Sequence, residues 1–119
     1  MNTHATYRTL LRQIADHLAD FGDRRWPAVI AGWLAEIGGE GEEIPATHLQ
    51  RTRRALGGMG SIGDVVICPE AGHLISSDKK EIRKANERLL HLVHELDEEV
   101  DKMLSLRPKA KIEERANRS

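Results

Sequence analysis

Cysteine is almost missing from this chain of 119 residues, where Cys68 stands alone. An internal disulfide and a cysteine-based zinc cage are thereby excluded, and the usage fits a reducing cytoplasm. Aromatic side chains are nearly as scarce: two tryptophans, one tyrosine and one phenylalanine. No apolar run approaches the length that spans a bilayer, and the polar N-terminus lacks the apolar core of a signal peptide. Neither charge dominates. With a net charge of −1 and a pI near 6.6, there is no overall electrostatic case for nucleic acid or an anionic membrane as partner. What remains is 39% hydrophobic and 31% charged, the balance of a cytoplasmic helical protein with one modest core.

Helical periodicity fills most of the sequence. From Thr3 to Phe21, the residues Tyr7, Leu11, Ile14, Leu18 and Phe21 recur at spacings of four and three, which predicts an amphipathic helix. Gly22 ends it and Asp23 can begin the next. Trp26, Val29, Ile30, Trp33, Leu34 and Ile37 repeat the pattern, with Pro27 suited to a first turn and both tryptophans expected as core anchors. After the acidic connector Glu40 to Glu43, a short helix is predicted from Pro45 or Thr47 to Leu56, with Thr47 as a candidate cap. The last helix, from about Asp78 to Leu106, carries Ile82, Leu89, Val93, Leu96, Val100 and Met103 as a seam broadened by Ala85 and Leu92. It would extend about 40 Å, so its far end must pack, project into solvent or form a homodimer. Arg107-Pro108 closes it. Residues 1–107 are thus expected to form a single helical domain, and residues 108–119 a loose basic tail.

Between the third and last helices lies Gly57-Gly58-Met59-Gly60-Ser61-Ile62-Gly63-Asp64, four glycines in seven residues before the β-branched run Val65-Val66-Ile67-Cys68. Glycine loses more backbone freedom on folding than any other residue, so such a segment implies positive φ angles or close backbone approach. Val65 to Cys68 reads as a strand, Pro69 to Gly72 as a turn and His73 to Ile75 as the returning strand. The expected fold is mainly α: four helices with a small β-hairpin inserted before the long C-terminal one.

Several constellations bear on chemistry. The glycine run lacks the lysine and Ser/Thr of a phosphate loop and precedes a strand instead of a helix. Ser61 is not in a Gly-x-Ser-x-Gly frame, and Cys68 reads as a buried, inert strand residue. Asp64, Glu70 and His73 together would supply three oxygen or nitrogen ligands, though at no established zinc spacing. Asp64 has the plainer role of capping loop amides or pairing with Arg51, Arg53 and Arg54. His91 and His94 flank the apolar seam as boundary residues, whereas His4, His17 and His48 belong to no constellation. The last helix has bases in its first half and acids in its second, against the helix dipole, and so offers a bipolar docking surface.

Gly57-Gly58-Met59-Gly60-Ser61, Asp64-Val65-Val66-Ile67 and Glu70-Ala71-Gly72-His73 before a long charged helix together resemble a group of small uncharacterised bacterial proteins. Their pattern is Gly-Gly-Met-Gly-Ser, an apolar residue, Asn-Asp and a short apolar run, then Glu-Asn-Gly-His. Gly63 and Ala71 stand where that pattern has asparagines, and the resemblance covers about residues 51–100. By type, such proteins resemble immunity proteins that neutralise secreted toxins. The resulting expectation is a protein-binding module, an immunity or antitoxin protein without a cofactor, whose docking face includes Gly58, Met59, Gly60, Ser61, Asp64, Glu70 and His73. The alternative is a small metal- or nucleotide-dependent enzyme or sensor centred on Asp64, Glu70 and His73.

Overall fold

The computed structural model describes residues 3–38, 43–57, 62 and 65–105. Four helices follow in order: α1 (Thr3–Asp20), α2 (Arg25–Glu36), α3 (Ala46–Leu56) and α4 (Lys79–Ser105), with a short 3₁₀ turn at Pro69–Ala71 before the last. Helix α1 is the hub, packing on both α2 and α4, while α3 lies against α4. No described helix is long and apolar enough to cross a membrane.

The stripes read from the sequence form one core. Tyr7, Leu11, Ile14 and Leu18 of α1 are fully buried beside Trp26, Ile30 and Trp33 of α2 and Leu89, Leu92, Leu96 and Val100 of α4. The α4 seam is covered within the chain from Ala85 to Met103, so a homodimer through this helix would have to use its outer face, where Leu90 is exposed.

Local chemistry sets the corners. The α1–α2 turn closes by backbone bonds from Gly22 to Ala19 and from Asp23 to Leu18. Gly22 sits at φ +82, and a Cβ there would stand 2.9 Å from Leu74 Cγ. Glycine is therefore required on two counts. Asp23 caps α2 by accepting from the amides of Arg25 (2.9 Å) and Trp26 (3.2 Å), and Asp78 caps α4 by accepting from Lys80 N–H at 2.8 Å. Thr47 does not cap α3. Pro45 holds the N-cap position with no side-chain bond, its ring supplying the extended φ that a helix entry needs.

The expected hairpin is absent among the described residues, because other elements take the bonds it would have used. Ile67 makes its backbone bonds to a side chain: its N–H donates to Asn86 Oδ1 at 2.7 Å, and its carbonyl accepts from Asn86 Nδ2 at 2.9 Å. A carboxamide thus stands where a neighbouring strand would pair. The returning segment is occupied elsewhere, with Leu74 N–H donating to Phe21 O at 2.8 Å. Between them, Cys68 O accepts from both Ala71 and His73, and Gly72 N–H bonds to Pro69 O. The result is a tight 3₁₀ turn in place of a two-residue hairpin loop. Cys68, expected in a buried strand, is only partly buried at the start of this turn.

Candidate functional site

Of the residues expected to form the site, Gly58, Met59, Gly60, Ser61 and Asp64 lie outside the described residues. Their described neighbours place the two ends of the glycine segment. Gly57 lines a cleft of roughly 500 Å³ between α3 and α4, with Leu56, Leu90 and Val93. Val65 lines a second cleft, of roughly 370 Å³, between the start of α2 and the 3₁₀ turn. Glu70 is exposed. His73 lines the second cleft.

That second cleft is built from two segments. Gly22, Asp23, Arg24, Arg25 and Trp26 form one wall, and Val65, Val66, Ala71, Gly72 and His73 the other. His73 stands between the walls. Its Nδ1 accepts from Cys68 N–H at 3.3 Å, which places the ring proton on Nε2, 4.0 Å from Asp23 Oδ2 and beyond hydrogen-bond reach of it. In this tautomer neither ring nitrogen has a free lone pair for a metal or for proton abstraction. Among the described residues, no group of three His, Cys, Asp or Glu side chains could hold a metal ion.

The rim is apolar and basic. Val66 and Leu74 are 59% and 74% exposed, two of the three large hydrophobic side chains so placed among the described residues. Arg25 stacks over the Trp26 ring at 5.2 Å, a cation–π contact that fixes the guanidinium without neutralising it. Neither Arg24 nor Arg25 has a carboxylate partner among the described residues. Other bases are paired internally: Arg51 grips Glu36 with two bonds of 2.9 and 2.8 Å, and Arg53 pairs with Asp101. Asp101 in the acidic half of α4 is thus paired with α3, and two of the arginines expected to meet Asp64, Arg51 and Arg53, have other partners, while Asp64 itself lies outside the described residues. His91 and His94 are exposed and face Glu95 and Glu98 one turn away.

A second polar cluster was not apparent from the sequence. His48 and Thr52, one turn apart on α3, are buried with Tyr7 of α1. Tyr7 OH lies 2.8 Å from His48 Nε2 and 2.6 Å from Thr52 Oγ1, while Thr52 donates to His48 O at 3.1 Å. All three bonds form together in only one arrangement. Thr52 gives its proton to the carbonyl, Tyr7 donates to Thr52, and His48 donates from Nε2 to Tyr7. Neutral His48 then presents a bare, unpartnered Nδ1, 3.7 Å from Glu36 Oε1. Burial is the main cause holding His48 below the ordinary histidine range, and it pushes the Tyr7 hydroxyl up to about 12. The Arg51 hydrogen bond keeps Glu36 below the usual carboxylate range. None of Tyr7, His48 and Thr52 lines either cleft, so the cluster ties α1 to α3 without presenting a reactive group. His17 has a comparable role, bonding Ala85 O across to α4 at 2.8 Å.

Residues 19–76, just under half of the chain, match the model of a domain of unknown function, DUF6966. The matched segment contains every residue that lines the α2 cleft, whereas the α3–α4 cleft draws Leu90, Val93, His94 and Asp97 from outside it. No curated protein and no solved structure matches the chain.

Proposed function

We propose that this protein is a binding module for another protein, and that the partner docks on the α2 cleft. The observation that carries this reading is the pairing of exposed Val66 on the cleft wall and exposed Leu74 beside Gly22 with two arginines that have no carboxylate partner among the described residues. A solvated surface gains nothing by holding Val66 and Leu74 out of the core. A partner that covers them gains about 1.5–3 kcal/mol for each side chain fully buried. Micromolar affinity needs about 8 kcal/mol, so the apolar pair supplies part of it and the arginines add charge-assisted contacts and faster association.

The particular form we favour is an immunity or antitoxin protein that acts by steric occlusion of a toxin, a reading supported by the charged docking rim alone. The bond that His73 Nδ1 accepts from Cys68 N–H weighs against the metal-dependent form of the alternative, whose one nitrogen ligand it occupies. The test is capture from source cells with the wild type beside a Val66→Asp, Leu74→Ser variant whose fold is verified by circular dichroism. A stoichiometric partner held only by the wild type supports the docking face, and toxicity of that partner expressed alone supports the immunity form. Equal capture by both proteins overturns the docking face. Absence of any stoichiometric partner overturns the binding role.

A further inference from the structure

The open backbone of Val66 specifies what kind of segment the cleft accepts. On either side of it, main-chain groups are taken: Val65 N–H donates to Ile62 O, both Ile67 groups bond Asn86, and Cys68 bonds around the 3₁₀ turn. Val66 N–H and C=O have no partner among the described residues, and its side chain is exposed on the cleft wall. Buried backbone donors and acceptors are nearly always paired within the fold, whereas those of exposed Val66 are open to solvent or to a partner. An unpaired set beside an apolar cleft is the arrangement that receives an added strand. Asn86 fixes this segment from the α4 side, so the accepting groups are held in place before anything binds.

Resting on the docking role proposed above, we infer that the cleft takes an extended, acidic segment of the partner. That segment pairs its own backbone with Val66 N–H and C=O, sets an apolar side chain against Val66 and Leu74, and offers carboxylates to Arg24 and Arg25. The occupant's charge follows from the two arginines, which outnumber the one carboxylate lining the cleft, Asp23, whose Oδ1 caps α2. Its extended form follows from Val66, because a helix has no free mid-chain amides or carbonyls to offer.

The probe is an array of blocked hexapeptides that alternate aspartate with leucine, valine or phenylalanine, with lysine in place of aspartate as the control. Binding is read by NMR on the ¹⁵N-labelled wild-type protein. The expected result is saturable binding of the acidic peptides, with a shifted Val66 amide resonance whose hydrogen exchange slows at least about tenfold. N-methylation of the peptide backbone should abolish binding. The Arg24→Glu, Arg25→Glu variant should weaken acidic peptides by about tenfold or more and favour the lysine series. Acidic peptides that bind with Val66 exchange unchanged, or that tolerate N-methylation, overturn the backbone pairing. If no peptide binds while capture of the whole partner still depends on Val66 and Leu74, the extended-segment inference falls and the docking face stands. Loss of that dependence as well removes both.

Discussion

Replacing Tyr7 by phenylalanine removes a single oxygen from the middle of the α1–α3 contact and keeps the ring. The hydroxyl now accepts from His48 Nε2–H and donates to Thr52, and both partners are buried. Thr52 loses a donor but still bonds His48 O. His48 is left with a buried Nε2 that has no partner whichever ring nitrogen carries the proton, and an orphaned buried polar group costs about 1–3 kcal/mol. Little cavity forms, so we expect Tyr7→Phe to lose about 2 kcal/mol. With a urea m-value of about 1.5 kcal/mol/M, the unfolding midpoint should fall by about 1.3 M. Trp26 and Trp33 are buried in the core and report unfolding by fluorescence. Thr52→Val should cost less, about 1 kcal/mol, because the tyrosine proton can then turn to His48 Nε2 and move the ring proton to Nδ1, facing Glu36. A midpoint shift under about 0.3 M for Tyr7→Phe, or a larger loss for Thr52→Val than for Tyr7→Phe, would refute the proton arrangement.

Three further outcomes are expected. His48 titrates below its ordinary value of 6.5 in the folded state, so the unfolded chain takes up the proton first as pH falls. Stability should therefore hold above about pH 6.5 and decline as pH drops through the folded-state value. Urea midpoints measured from pH 7.5 downward should show this, with a shallower decline in His48→Gln; a wild-type midpoint that rises on acidification would contradict it. Asn86→Ala strips both partners from the Ile67 backbone and should cost about 2 kcal/mol, with faster exchange of the Ile67 amide; unchanged exchange would dissociate Asn86 from that segment. Gly32 is exposed inside α2 with nothing within 4 Å of an added Cβ, whereas Gly22 holds φ +82. Gly32→Ala should stabilise by about 0.5–1 kcal/mol and Gly22→Ala should destabilise by about 1–2 kcal/mol in thermal melts, and the same sign for both would defeat this reading.

The helices were legible because their information is local and repeated. The apolar stripes around Leu11, Ile30 and Leu92 recur at helical spacing, so each helix states its buried face several times over. Stops at Gly22 and starts at Asp23 and Asp78 depend on neighbours within a few residues. Thr47 was misjudged because capping depends on where the backbone leaves the extended region, and Pro45 sets that earlier. The clefts were only partly legible. His73 was visible as a candidate, but its place opposite Asp23 in the cleft joins positions fifty apart in the chain. Arg24, Arg25 and Leu74 gave no signal, since an exposed arginine or leucine is ordinary until its neighbours are known.

The sequence by itself determined four helices, their order, most of their ends and the side chains that fill the core. Tertiary structure alone decided the rest, through polar groups that find partners far along the chain. His48 belonged to no constellation in the sequence, and its partners became visible only where α1 brought Tyr7 against it and Thr52. Val65 to Cys68 has the β-branched composition of a strand, yet a strand requires another backbone to pair with, and here Asn86 of α4 and Phe21 of α1 take the bonds that a hairpin would have used. Composition sets which conformation a segment tolerates. Which groups satisfy its hydrogen bonds is settled only when the helices pack, because a buried amide or carbonyl must pair with whatever the fold places within reach.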